Sequence, residues 1–191
     1  MDEKLYAIEL AGQCNELTAW RILKDTSAAM LDANASSVDP SRIEIKDDGS
    51  FALAAPSGAE LKGFDAPETC HGTIAANSGV WSLAASLFYI VMGCQVMNGK
   101  GGSAQHESSR LPFMRSTWPK LSALIQQCLD YHPEKRPSMQ EVNKMAAEQF
   151  MTCSETVKKG PKFQEKTLDQ GRPDNDTIAA FWPEAMQSAN K

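Results

Sequence analysis

Concentrated positive charge is almost absent from this chain. Its longest Lys/Arg run is Lys158-Lys159, its formal charge is -5 and its pI is near 5.2. That balance leaves no electrostatic footprint for nucleic acid. The five cysteines, Cys14, Cys70, Cys94, Cys128 and Cys153, are odd in number, irregularly spaced and never arranged as Cys-x-x-Cys. They read as reduced, mostly packed thiols rather than a disulfide framework. His71 adjoins Cys70, but adjacent residues rarely ligate one ion together, and no second ligand pair follows at zinc spacing, so no metal site is expected. Met1-Asp2-Glu3-Lys4-Leu5-Tyr6 carries two acids and no apolar run precedes Ala11-Gly12, which argues against a secretory signal and for a cytoplasmic location. Charge is missing altogether from Gly72 to Gly99. A stretch of that kind is either a membrane span or the centre of a core, and Ser82, Ser86, Gly93, Gln95 and the lack of basic flanks favour the core.

What is present is an ordinary globular composition, 191 residues of which 42% are hydrophobic and 23% charged, enough for one core and a tail. Leu17, Trp20, Leu23, Ser27, Met30 and Leu31 recur at helical spacing and predict an amphipathic helix over 16–33. Ile43-Glu44-Ile45 and Phe51-Ala52-Leu53 alternate about Asp47-Asp48-Gly49-Ser50, which predicts a hairpin, the only sheet expected. A second helix starts at a cap on Asn77 or Ser78 and stops at Gly93. A third presents Trp118, Leu121, Leu124, Ile125, Cys128 and Leu129 on one face and is closed by Pro133. Ser138-Met139-Gln140-Glu141 is a capping box for a fourth, lined by Val142, Met145, Ala146 and Phe150. Asn98 to Arg110, rich in Gly and Ser, reads as a mobile loop.

The boundary of the helical domain is expected near 152. From 153 to 191 the chain reads as a polar linker followed by one apolar stripe, Ile178, Phe181, Trp182, Ala185, Met186 and Ala189, behind an Asn175/Asp176 cap and broken at Pro183. Ile178, Phe181, Trp182 and Met186 are candidate docking residues; equally, they could fold back over the chain's own core.

Three segments give the chain a family resemblance: Ala66-Pro67-Glu68, then Val80-Trp81-Ser82-Leu83, then Cys128-Leu129-Asp130-Tyr131-His132-Pro133-Glu134-Lys135-Arg136-Pro137. In order and spacing they resemble the helical lobe of a protein kinase over about residues 17 to 150. The resemblance implies a mainly α, kinase C-lobe-like fold with one small hairpin, and a structural ion pair between Glu68 and Arg136. It does not carry the chemistry. Val38-Asp39-Pro40-Ser41-Arg42-Ile43 aligns with the kinase stretch Leu-Lys-Pro-x-Asn-Ile. Ser37 then takes the place of the catalytic Asp, and Arg42 that of the Asn that holds magnesium. Ala55-Pro56-Ser57 falls on the Asp-Phe-Gly motif, so Ala55 replaces the second metal carboxylate. Gly79 replaces the Asp that in kinases braces the catalytic loop, and only a stub runs from Ala55 to Ala66 in place of an activation segment. The sixteen residues before the first helix cannot supply a Gly-rich loop, a strand lysine and a helix glutamate, so the nucleotide-binding lobe is expected to be missing.

The resemblance therefore implies a non-catalytic pseudokinase that binds or scaffolds an as yet undefined protein partner, with no cofactor, nucleotide or membrane. The alternative is the helical half of a split Ser/Thr kinase completed in trans, which needs other groups to replace Ser37, Arg42 and Ala55. A nucleotide sensor without catalysis would leave the triphosphate uncompensated by Lys or magnesium. Gly99-Lys100-Gly101-Gly102-Ser103 superficially suggests a phosphate cradle, but a P-loop needs Gly where Cys94 stands and Ser or Thr where Gly101 stands.

Overall fold

A computed structural model describes residues 4–55, 61–111, 114 and 118–158. Pro56, Ser57 and the whole stripe of Ile178, Phe181, Trp182 and Met186 lie outside the described residues. The protein is mainly helical with one small antiparallel sheet. In chain order the elements are β1 (Leu5–Tyr6), α1 (Glu16–Asp32), β2 (Ile43–Ile45), β3 (Phe51–Leu53), α2 (Pro67–Cys70), α3 (Ser78–Met92), α4 (Pro119–Cys128) and α5 (Met139–Lys158).

The core is built around α3. Every residue of this 15-residue helix except Tyr89 and Met92 is buried, which is what an uncharged, evenly apolar stretch demands of a globular interior. No described helix is long and apolar enough to cross a membrane. The helix stops at Gly93, whose φ of 72° ends it in the left-handed region that a side chain would disfavour. Its expected cap is different. Asn77 stands at the cap position, but its side-chain amide donates to the carbonyls of Pro133 (3.2 Å) and Arg136 (3.3 Å), tying the start of α3 to another turn.

Helix α1 is capped by Asn15, whose side chain accepts from the Thr18 amide at 2.9 Å. It packs lengthwise against α5, where the Asn143 amide donates to the Lys24 carbonyl (2.8 Å) and to Ser27 Oγ (2.9 Å), and the Lys24 ammonium sits over the Phe150 ring. The capping box of α5 closes in both directions: Glu141 N–H donates to Ser138 Oγ (3.3 Å) and Ser138 N–H to Glu141 Oε2 (2.8 Å). This helix continues through Lys158, so residue 152 lies inside it.

The sheet has three strands rather than the two of a lone hairpin. β2 and β3 pair with Glu44 opposite Ala52, and β1 adds a further edge with Leu5 opposite Ile45. Two residues are too few to show the alternation that betrays a strand, so β1 left no sequence signal. In the hairpin turn Gly49 has φ 73°, and Asp48 Oδ1 accepts from the Ser50 amide at 2.8 Å.

Two further expectations are corrected. Helix α4 ends at Cys128, short of Pro133: the Asp130 amide turns to the Gln127 carbonyl (3.3 Å) and the His132 amide to Asp130 Oδ1 (2.9 Å), so neither continues the helical ladder, and the Leu129, Asp130 and Tyr131 carbonyls accept from Gln105 and Arg136. Part of the segment from Asn98 to Arg110, read as a mobile loop, is packed against the core, while His106 to Ser108 is exposed. Gly101 and Gly102 are buried in short 3-10 turns, and Gly102 N–H donates to the Asp65 carbonyl at 3.1 Å. That bond also removes an amide that a phosphate cradle would have to offer. A Cβ on Gly102 would stand 2.4 Å from Asp65 O and Pro67 N, both backbone atoms with nowhere to go. Gly102→Ala is therefore expected to destabilise the fold by about 1–3 kcal/mol, the usual cost of overpacking. Urea denaturation checks this through a lower midpoint at unchanged slope.

Candidate functional site

Two centres lie where the sequence placed its site residues, and their electrostatics are opposite in kind. The first joins Glu68 of α2 to Arg136, which follows the 3-10 turn Pro133–Lys135. Pro67 at the first helical position preorganises α2, and Thr73 N–H donates to the Glu68 carbonyl to hold its end. The Arg136 side chain is fully buried and its Nη1 and Nη2 meet Glu68 Oε1 and Oε2 at 2.7 and 2.8 Å, a bidentate pair. Its other donors are also used. Nε donates to the Asp130 carbonyl (2.7 Å), Nη1 to Asn77 O (3.3 Å) and Nη2 to Tyr131 O (3.1 Å). All five guanidinium N–H groups thus have an acceptor. Ser78 Oγ donates to Glu68 Oε1 at 2.7 Å and accepts from the Ala75 amide, adding the first turn of α3 to the cluster. Burial by itself would raise the Glu68 carboxyl, but the hydrogen bonds from Arg136 and Ser78 outweigh it and hold it below its ordinary value.

The second centre is the segment 35–42 with its neighbours. Val38 is clasped by α3: Ser82 Oγ accepts from the Val38 amide (2.8 Å), and the Val38 carbonyl receives the hydroxyls of Ser82 (2.7 Å) and Ser86 (3.0 Å). Gly79 lets the same segment lie directly on the helix, since a Cβ there would stand 3.0 Å from the Ala35 carbonyl. Asp39 is buried and its Oδ1 accepts from the Ser41 amide at 2.9 Å, which caps the 3-10 turn Pro40–Arg42. The Arg42 guanidinium is buried too, but among the described residues it donates only to two backbone carbonyls, Ser37 O (3.3 Å) and Ala54 O (3.5 Å). Its Nε has no hydrogen-bond partner, and among the described residues no carboxylate comes within 4.0 Å of it. The hollow lined by Ser37, Asp39, Arg42, Phe64, Asp65 and Ser82 has a volume of about 10 Å³, room for one water. Ala55, the third position considered, is exposed and does not join it.

Arg42 and Ser37 are thus brought together, and Glu68 and Arg136 are brought together, whereas Ala55 stands apart. Sequence reasoning missed Gln105. Its buried amide accepts from Trp81 Nε1 (2.8 Å) and donates to the Leu129 carbonyl (2.7 Å), linking α3 to the end of α4. It also missed the Ser82 and Ser86 clasp, although two serines four apart in an otherwise apolar helix share one face and are a legible sign of a buried polar contact. None of the five cysteines is in a disulfide, and against the expectation of mostly packed thiols only Cys14 and Cys128 are buried; burial pushes the Cys128 thiol up to about 12, which leaves it inert. Among the described residues no group of three or more His, Cys, Asp or Glu is arranged to hold a metal ion.

No model of a known protein family matches the chain. No curated protein matches it significantly either.

Glu68→Ala is expected to cost about 3–5 kcal/mol, because it strands the buried Arg136 charge. A midpoint unchanged in chemical denaturation would contradict that. The pH dependence follows from the lowered Glu68 carboxyl. A carboxyl lowered in the folded state stabilises above its ordinary value of 4.5 and loses that contribution as pH falls through the folded value. Melting temperatures measured on descending into that acid range are expected to fall more steeply for the intact protein than for Glu68→Gln.

Proposed function

We propose that this chain is a kinase-lobe-like protein without phosphoryl-transfer activity, which acts by binding another protein. The observation that carries this reading is the buried guanidinium of Arg42. In the alignment with kinases it takes the position of the Asn that holds magnesium, and it brings a fixed positive charge to the place where the reaction needs a divalent cation. A cation there repels a metal rather than binding one, and the hollow beside it, about 10 Å³, is too small for a hydrated ion or a phosphate. Ser37, at the position of the catalytic base, uses its carbonyl to hold Arg42. The groups with catalytic counterparts in kinases thus serve local structure, while the pair with a structural counterpart, Glu68 and Arg136, is complete.

A split kinase completed by another chain draws no support from this geometry, because a second chain supplying nucleotide would still meet Arg42 where magnesium must sit. The tail residues Ile178, Phe181, Trp182 and Met186 keep both roles assigned to them from the sequence, docking in trans or covering core in cis.

The test has two arms. With ATP and magnesium the chain is expected to show neither a rise in melting temperature nor transfer of labelled γ-phosphate to itself or a generic substrate. Either signal overturns the non-catalytic reading. Affinity capture with the intact chain and with a chain ending at Lys158 is then expected to yield a protein that rebinds in purified form at defined stoichiometry. Retention by both forms puts the binding surface on the helical domain, loss with truncation puts it on the tail, and failure of any captured protein to rebind contradicts the binding role.

A further inference from the structure

His132 stands between two glutamates, one at each ring nitrogen. Nε2 lies 3.0 Å from Glu107 Oε1 and Nδ1 lies 3.7 Å from Glu134 Oε1. A neutral imidazole carries one N–H, so it can donate to one of these carboxylates while turning a lone pair toward the other. Only the imidazolium, with a donor on both nitrogens, is complementary to both. We infer that His132 is a proton-operated latch that fastens the 106–109 turn to the 130–136 turn.

The geometry gives the latch something to fasten. Glu107 sits at the tip of a turn closed by the Ser109 amide on the His106 carbonyl (2.8 Å) and the His106 amide on Ser109 Oγ (2.8 Å). The base of that turn is already fixed through Gln105, which bonds Trp81 and Leu129, so the tip is the part left to move. On the other side, His132 is held by its own amide on Asp130 Oδ1 (2.9 Å) and by the edge of its ring against Tyr131. The carbonyls of Asp130 and Tyr131 accept from Arg136, so the latch closes on the rigid hub. The ionisable groups that face this small cleft of about 110 Å³ are Glu107, Asp130, Tyr131, Lys135 and His106, with Glu134 on the far ring nitrogen. Among the described residues Lys135 is the one lysine or arginine lining the cleft, set against the carboxylates of Glu107 and Asp130. Both glutamate side chains are largely exposed, 75% and 72%, so each contact is screened and the latch is a light one.

Amide hydrogen exchange in the full chain tests this directly. Protection of the His106 and Ser109 amides, corrected for intrinsic exchange, is compared at about pH 5.5 and about pH 7.5, either side of the ordinary histidine value. The expected result is about two- to fivefold greater protection at the lower pH, the size of an exposed ion pair. Glu107→Gln, a surface change, is expected to abolish that difference. His106→Gln is expected to keep it, which separates His132 from the other histidine nearby. Equal protection at both pH values overturns the latch, and so does a pH effect that survives Glu107→Gln or disappears with His106→Gln. The latch stands on this geometry whether or not the kinase-like reading holds.

Discussion

Arg136 is the point on which the described fold depends. A buried guanidinium is tolerable only when its charge is met and its five donors are used, and here one carboxylate and three backbone carbonyls do both. Those acceptors come from three stretches: Glu68 in α2, Asn77 at the start of α3, and, more than fifty residues on, Asp130 and Tyr131 after α4. The cation therefore fixes where three elements meet before any apolar packing is counted. Asn77 and Ser78 then spend their side chains on this hub rather than on capping α3 in the usual way.

Arg42 shows the opposite arrangement. Its guanidinium is buried, its Nε is unmet, and among the described residues backbone carbonyls alone receive it. Two arginines of similar burial thus do different work. One is a saturated structural hub; the other is a charge kept in a tight hollow where, in the kinase-like alignment, a metal would be bound. Under the function proposed above, that second charge is what separates a retained scaffold from a retained activity.

Much of this was legible in the residues themselves. The uncharged stretch before Gly99 announced a buried central helix, the period of Leu17, Trp20, Leu23 and Met30 announced α1, and Ser138 with Glu141 announced the cap of α5. Glu68 and Arg136, expected as an ion pair, do meet. What the sequence hid has physical reasons. β1 is two residues long, below the length at which alternation can be seen. The end of α4 is marked by the Asp130 carboxylate, which takes the His132 amide out of the helical ladder, whereas a reading by breakers looks for the nearest proline. The Gly-rich connector looked loose because glycine is a turn former, yet Gly101 and Gly102 serve close approach to Gly63 and the Asp65–Pro67 backbone. The burial of Arg42 follows from its capture by Ser37 and Ala54 carbonyls, which no local pattern encodes.

The central claim is that Glu68 and Arg136 act as one unit on which the surrounding turns rely. A double-mutant cycle in chemical denaturation tests it, using Glu68→Ala, Arg136→Ala and the pair together. The account predicts strong non-additivity, the double variant losing about 1–3 kcal/mol less than the sum of the two single losses. Losses that simply add, within about 0.5 kcal/mol, would contradict it.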